Sequence, residues 1–197
     1  LPILQIAHAM GTVANNGLKM KPHLVREVLD VETKASTPVA KEPIGQLPLT
    51  PENLEVIKRG MVGVNIEGTS ATSFVGAQYV SAGKTGTAQV FTVKQNEKYN
   101  ASTIDERMRD HALFVAFAPA DDPKVALAMV VENAGFGAQN AAPIARRVFD
   151  FVIMGQYPSQ EDIDAVQKGQ ATRPIGKPRA VANVPWPPKA AELAVEE

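Results

Sequence analysis

The sequence contains no cysteine. That removes disulfides, thiol nucleophiles and cysteine-ligated zinc, although reducing and oxidising compartments both tolerate such an absence. Histidine is almost missing as well. His8, His23 and His111 stand far apart and form no H-x-x-x-H pair, so the composition argues against a metal centre, and neither a metal nor an organic cofactor is expected. No apolar run approaches the roughly 20 residues that span a bilayer. The opening Leu1-Pro2-Ile3-Leu4-Gln5 lacks the basic start of a signal peptide. It begins with Leu rather than Met and enters helical periodicity at once, so a segment of a longer protein is expected. Charge of one sign is also lacking. A formal net charge of -1 supplies no field for nucleic acid or an anionic membrane. No internal repeat is present.

What remains is an ordinary globular composition, 45% hydrophobic and 21% charged over 197 residues, enough for one sizeable core or two small ones. Ile3, Ile6, Ala7, Met10 and Val13 form a helical stripe, closed by Asn15-Asn16-Gly17, residues that tolerate a left-handed backbone. Leu24 to Val31 reads as a strand, and residues 33–48 as a surface excursion. Thr50-Pro51-Glu52 is a helix start with an N-cap, a first-position proline and an early acid. Leu54, Ile57, Met61 and Val64 supply that helix's buried side. Gly68-Thr69-Ser70 breaks it, and a short helical turn through Phe74 follows. A strand runs from Tyr79 to Phe91. Residues 92–110 are mostly polar. His111 to Ala118 and Val125 to Glu132 form a hairpin around Pro119-Ala120-Asp121-Asp122-Pro123. Ala141 to Met154 reads as a helix with Ile144, Val148, Phe151 and Val152 inward and Arg146, Arg147 and Asp150 outward. From 156 to 197 the pattern dissolves, and an extended, disordered, proline-rich tail containing Pro185-Trp186-Pro187-Pro188 is expected. The order predicts an α+β fold, an antiparallel sheet flanked by helices.

The stretch Ser81-Ala82-Gly83-Lys84-Thr85-Gly86-Thr87-Ala88-Gln89 carries the chemistry. An edge strand offers unpaired N–H and C=O groups to an extended peptide. Gly86 lets a ligand approach the backbone closely. Lys84 supplies a fixed positive charge for a carboxylate, on the order of 4 kcal/mol at about 4 Å before desolvation. Thr85 and Thr87 add hydroxyl donors, and the Thr87 N–H is a candidate donor to a developing oxyanion, where one donor is typically worth roughly 2.7–4 kcal/mol of barrier. Alternation places Lys84 and Thr85 on opposite faces. Both reach one cleft only if it lies along the strand's rim.

Lys-Thr-Gly followed by Thr is one of three short motifs of penicilloyl serine transferases. Lys84-Thr85-Gly86-Thr87-Ala88-Gln89-Val90, Arg109-Asp110-His111-Ala112, Ala116-Phe117-Ala118-Pro119 and Val131-Glu132-Asn133, in that order, closely resemble the end of class B penicillin-binding proteins. The polar stretch Asn96-Glu97-Lys98-Tyr99-Asn100 narrows the resemblance to elongation-type penicillin-binding protein 2, and Ala7 to Gly17 is similar to the helix after that family's Ser-x-Asn region. The resemblance covers residues 1–155, read as the C-terminal portion of a transpeptidase domain, with 156–197 outside it. It implies a partial penicillin-binding/β-lactamase-like fold whose sheet includes Leu24–Val31 and the strands near 84, 111 and 125. It also implies D,D-transpeptidation, in which a serine attacks a D-Ala-D-Ala carbonyl and an amine resolves the acyl-enzyme. On that resemblance Lys84, Thr85, Gly86 and Thr87 bind the terminal carboxylate of a peptidoglycan stem or a β-lactam, and Thr87 N–H is half of the oxyanion hole. The implied location is the periplasmic face of the bacterial inner membrane, anchored by upstream sequence, and the implied partner a membrane glycosyltransferase of the elongation machinery.

Two companion motifs are missing. No Ser-x-Asn occurs. The lone Ser-x-x-Lys match, Ser81 to Lys84, falls in a predicted strand, whereas the family's nucleophile needs its lysine one helical turn away. The chain alone is therefore expected to be inactive and to expose a face meant for the missing half of the domain. The alternatives are a non-catalytic module that binds D-Ala peptides, or a fragment of a serine β-lactamase or β-lactam sensor; the Asn96–His111 block and the Ala-Phe-Ala-Pro hairpin argue against the latter. His111 is expected to make a structural hydrogen bond. Glu132 and Asn133 are expected to cap and position the glycine loop after them, with cleft-shaping as the alternative. Residues 94–110 read as solvated surface or, more sharply, as a gating or partner-binding loop.

Overall fold

The computed structural model describes residues 2–90, 104–170 and 172–183. α1 spans Ile3–Ala14 and ends as expected, with Asn16 and Gly17 both at positive φ. A ribbon follows, built from β1 (Leu18–Met20), β2 (Glu27–Leu29), β3 (Ser36–Pro38) and β4 (Pro43–Gln46), in which β1 pairs with β4 and β2 with β3. The strand expected over Leu24–Val31 is therefore only three residues long, exposed throughout, and paired within this ribbon rather than added to the main sheet. Glu27, Val28 and Leu29 pair their backbone locally with β3. α2 (Pro51–Ile66) is capped by the Thr50 hydroxyl, which accepts from Asn53 N at 3.3 Å. Leu54, Met61 and Asn65 are its buried residues; Ile57 is exposed, contrary to the stripe read from sequence.

α3 (Ala71–Phe74) leads into β5 (Ala82–Ala88), β6 (His111–Ala118) and β7 (Val125–Val131). These three form an antiparallel sheet in the order β5-β6-β7, so β5 is outermost. Gly86 faces Leu113, and Thr85 faces Phe114. Then come α4 (Gly137–Asn140), α5 (Ala142–Met154), β8 (Gln156–Tyr157), α6 (Gln160–Gln167) and β9 (Arg179–Ala180).

Alternation on β6 sends side chains into two cores. Ala112, Phe114, Ala116 and Ala118 pack with Phe74 and with Ala141, Ala142, Ala145 and Phe149 of the α4–α5 segment. Phe117 and Ala82 pack with Ala14 of α1 and Met61 of α2. α5 thus turns toward the sheet the face opposite to the one predicted. Ile144, Val148, Phe151 and Val152 are exposed, and Arg146 is buried. The small residues Ala142 and Ala145 allow close approach to the sheet. Arg146 tolerates burial because its Nε donates to both Asp150 oxygens at 2.9 Å and its Nη1 donates to the carbonyls of Ser73 and Val75. The Tyr79 hydroxyl donates to Asp150 at 2.8 Å, and burial, reinforced by the Asp150 charge, pushes that phenol well above its usual range.

The expected extended stretch from 156 holds α6 and two short strands. Its Ser159 N-cap and an acidic first turn explain the helix. Arg147, expected on the outside, binds Asp162 with Nη2–Oδ1 at 2.6 Å and locks α6 onto α5. The Pro-Trp-Pro-Pro sequence lies outside the described residues.

Candidate functional site

Lys84, Thr85, Gly86 and Thr87 occupy the middle of β5, the outermost strand. Lys84 and Thr87 are exposed, and Thr85 and Gly86 are half-buried. The Lys84 ammonium curls back to donate to the Thr85 carbonyl at 2.8 Å. This bond answers how Lys84 and Thr85 can serve one cleft. Neighbouring side chains point to opposite faces, but the Lys84 stem wraps around the rim and brings its charge to the edge where the Thr85 carbonyl points. Alternation then sends the Thr87 N–H to the same side as the Thr85 carbonyl, since both belong to residues two apart. Among the described residues, no carboxylate pairs with Lys84.

The strand is held from beneath by polar groups that sequence reading overlooked. Asn65, near the end of α2, donates through Nδ2 to Ser81 Oγ at 2.9 Å. Its Oδ1 accepts from Ser70 Oγ at 2.5 Å. All three residues are buried. Gly83 makes room for this packing; a Cβ there would lie 2.5 Å from the Phe114 ring and 3.1 Å from the Asn65 amide. Thr69 Oγ1 lies 3.1 Å from Thr85 Oγ1. The sequence signalled only a helix breaker at 68–70; no local pattern ties those residues to a strand beyond the next helix.

Ser81 is therefore a structural hydroxyl. It is 3% exposed and bonded to Asn65, and Lys84 follows it on a strand rather than one helical turn away. The Ser81-Ala82-Gly83-Lys84 match has none of the geometry of a nucleophile.

On the far side of the motif, Gly137 packs directly on the β5–β6 seam. A Cβ at this position would strike the carbonyl oxygens of Leu113 and Gly86. The preceding loop is pinned by Asn133, whose Nδ2 donates to the carbonyls of Arg107 at 2.8 Å and Arg109 at 3.1 Å. Asn133 N donates to His111 Nδ1 at 2.9 Å. In that bond Nδ1 is the acceptor, which gives His111 a structural role. These bonds tie Asn133 to the segment 107–111 before and at the start of β6, rather than to the glycine loop that follows it. Most of the polar loop after β5 lies outside the described residues, but Glu106–Met108 forms a short 3-10 turn. Among the described residues, no three His, Asp or Glu side chains group as a metal site requires.

The arrangement can hold an anionic chain end along a strand edge, with a lysine, two threonine hydroxyls and an outward N–H. Comparisons with known proteins identify the family. Residues 3–150 match the penicillin binding protein transpeptidase domain. The chain is 40% identical over 167 residues to the peptidoglycan D,D-transpeptidase MrdA of Haemophilus influenzae, covering 80% of this chain and 24% of that protein. It is 37% identical over 155 residues to MrdA of Escherichia coli, covering 77% and 24%. Thus the chain spans about a quarter of the length of the curated relatives it matches. The crystal structure of Pseudomonas aeruginosa PBP2 in complex with WCK 5153 superposes with a TM-score of 0.58 at 35% identity, covering 76% of this chain and 28% of that one. Penicillin-binding protein A of Mycobacterium tuberculosis, a ceftriaxone acyl-enzyme complex, gives 0.61 at 29% identity, covering 78% and 32%. The observed helices and antiparallel sheet are part of that transpeptidase fold, and the chain belongs to the penicillin-binding protein transpeptidase domain family.

Proposed function

We propose that this chain is the C-terminal portion of a peptidoglycan D,D-transpeptidase of the cell-elongation type. Its task is to present the strand that grips the terminal carboxylate of a D-Ala-D-Ala stem, or of a β-lactam. The observation that carries this reading is the Lys84 ammonium folded onto the free edge of β5 beside the Thr85 carbonyl. A carboxylate arriving there displaces a neutral carbonyl as the ammonium's acceptor and gains charge-assisted bonds from Lys84 and the two threonine hydroxyls. On this reading the Thr87 N–H meets the oxyanion of an acyl carbonyl one residue further along the bound peptide. The attacking serine comes from the remainder of the domain, since no helix-borne Ser-x-x-Lys occurs in these residues. Residues 1–155 form this chain's share of the catalytic domain, and 156–183 dock on it through α6.

The complete protein acts at the periplasmic face of the inner membrane, beside a membrane glycosyltransferase of the elongation machinery. A complex between penicillin-binding protein 2 and MreC is known for Helicobacter pylori, and that chain shares this fold at a TM-score of 0.55 and 25% identity. The test is acylation of the complete protein by a fluorescent penicillin. Lys84→Ala should slow it by about 10- to 100-fold, the equivalent of roughly 1.5–3 kcal/mol for a hydrogen bond to a charged group. Unchanged labelling would remove the carboxylate role. Covalent labelling of the 197-residue chain by itself would show that a nucleophile had been overlooked.

A further inference from the structure

The turn Gly68-Thr69-Ser70 between α2 and α3 is tied at two points to β5 and the residue just before it. One tie is buried and runs from Ser70 through Asn65 to Ser81. The other is exposed and joins Thr69 Oγ1 to Thr85 Oγ1 at 3.1 Å. The buried tie holds the turn against the strand, and the exposed one is a hydroxyl pair at the anion-gripping face. Thr85 Oγ1 is the only hydrogen-bond partner of the Thr69 hydroxyl among the described residues.

A hydroxyl carries one proton and two lone pairs. If Thr85 donates to Thr69, it has no proton for an anion and turns a lone pair toward it instead. If Thr69 donates to Thr85, the Thr85 proton is free. Without an anion either direction is open. With a carboxylate against the Thr85 hydroxyl, the order Thr69 to Thr85 to carboxylate puts both hydroxyl protons on acceptors and gives the anion a donor from Thr85. The negative charge also polarises the chain and strengthens both links.

We propose that Thr69 is a positioning residue for carboxylate recognition, donating to Thr85 so that the Thr85 hydroxyl faces the anion as a donor. This rests on the reading that β5 holds a carboxylate. It adds a residue outside the Lys-Thr-Gly-Thr run to the determinants of that specificity, and it predicts discrimination against neutral chain ends. Thr69 need not touch the substrate.

The test compares acylation of the complete protein by a penicillin bearing its free carboxylate and by the methyl ester of the same penicillin. Taking the ratio of the two rate constants cancels any difference in the fraction of folded enzyme. Thr69→Val keeps the shape and removes the donor. It should lower the rate constant for the acid by about ten-fold, the loss of one bond in a charged network, and leave the ester within about two-fold. Thr69→Ser keeps the donor and should behave as wild type. Equal losses for acid and ester, or no loss for the acid, would overturn the proposal. Lys84→Ala runs alongside. If Lys84→Ala lowers the acid-to-ester ratio but Thr69→Val does not, only the Thr69 proposal fails. If neither variant lowers it, the assignment of a carboxylate to β5 fails as well.

Discussion

Removing the Arg146 guanidinium should destabilise the packing of α5 on the sheet. This guanidinium is buried in the α5 face that packs on the sheet, with a side chain 7% accessible against 14% for Asp150. Two of its bonds go to the Asp150 carboxylate and two to the Ser73 and Val75 carbonyls just upstream of β5. Arg146→Met keeps most of the stem and removes the head. Among the described residues, the mostly buried Asp150 carboxylate then keeps the Tyr79 hydroxyl at 2.8 Å as its one side-chain partner. Breaking a buried pair from one side costs about 3–5 kcal/mol, or roughly 6–20 °C of melting temperature for a domain of this size. Asp150→Asn is the informative comparison. The amide oxygen can still accept from Arg146 Nε and from Tyr79, and the guanidinium keeps its two carbonyls, so the cost falls to about 1–3 kcal/mol. Removing both charges with Arg146→Met and Asp150→Leu should recover most of what the single Arg146 change loses, since no unpaired ion remains. Thermal melting of the complete protein and its variants reads all three. If Asp150→Asn harms as much as Arg146→Met, or the double variant is no better than the single, the buried pair is not what braces α5.

Two further outcomes follow from packing and titration. Gly137→Ala should weaken both folding, by at least about 1–3 kcal/mol, and penicillin acylation, because its Cβ meets the backbone oxygens of Leu113 and Gly86. Gly60→Ala on α2, where a Cβ meets nothing within 4 Å, should be neutral or stabilising by about 0.5–1 kcal/mol; equal melting shifts for the two would refute the seam contact. The Tyr79 phenol is raised by burial and by Asp150. Its contribution is therefore fully present below the ordinary phenol value of about 10 and is lost as pH climbs through the higher folded-state value. Tyr79→Phe should flatten the fall in melting temperature between neutral pH and about pH 11, and an unchanged alkaline slope would count against the Tyr79–Asp150 bond.

Much of the fold was legible because it is governed by local rules. Thr50 and Pro51 announced α2 through capping and fixed φ, and the Pro119-to-Pro123 turn announced the β6–β7 hairpin. The Lys-Thr-Gly-Thr run announced β5 and the residues that line its edge. Other features resisted the same reading. Leu24 to Val31 has strand-like composition, but composition does not say which partner supplies the ladder, and β3 was nearer than the main sheet. α6 was hidden among polar residues, since its burial is made by an ion pair with Arg147 rather than by an apolar stripe.

The sequence by itself determined the groups on offer: a lysine and two threonines on a glycine-containing strand, with no Ser-x-x-Lys apart from Ser81 to Lys84. Tertiary structure alone decided that Lys84 and Thr85 share one rim, that α5 buries Arg146 rather than Ile144 and Val148, and that Thr69 meets Thr85. The physical reason is the same in each case. A periodicity scores side chains by their solubility in hydrocarbon, whereas a charged or hydroxyl group is buried or aimed according to partners that the chain brings in from distant segments.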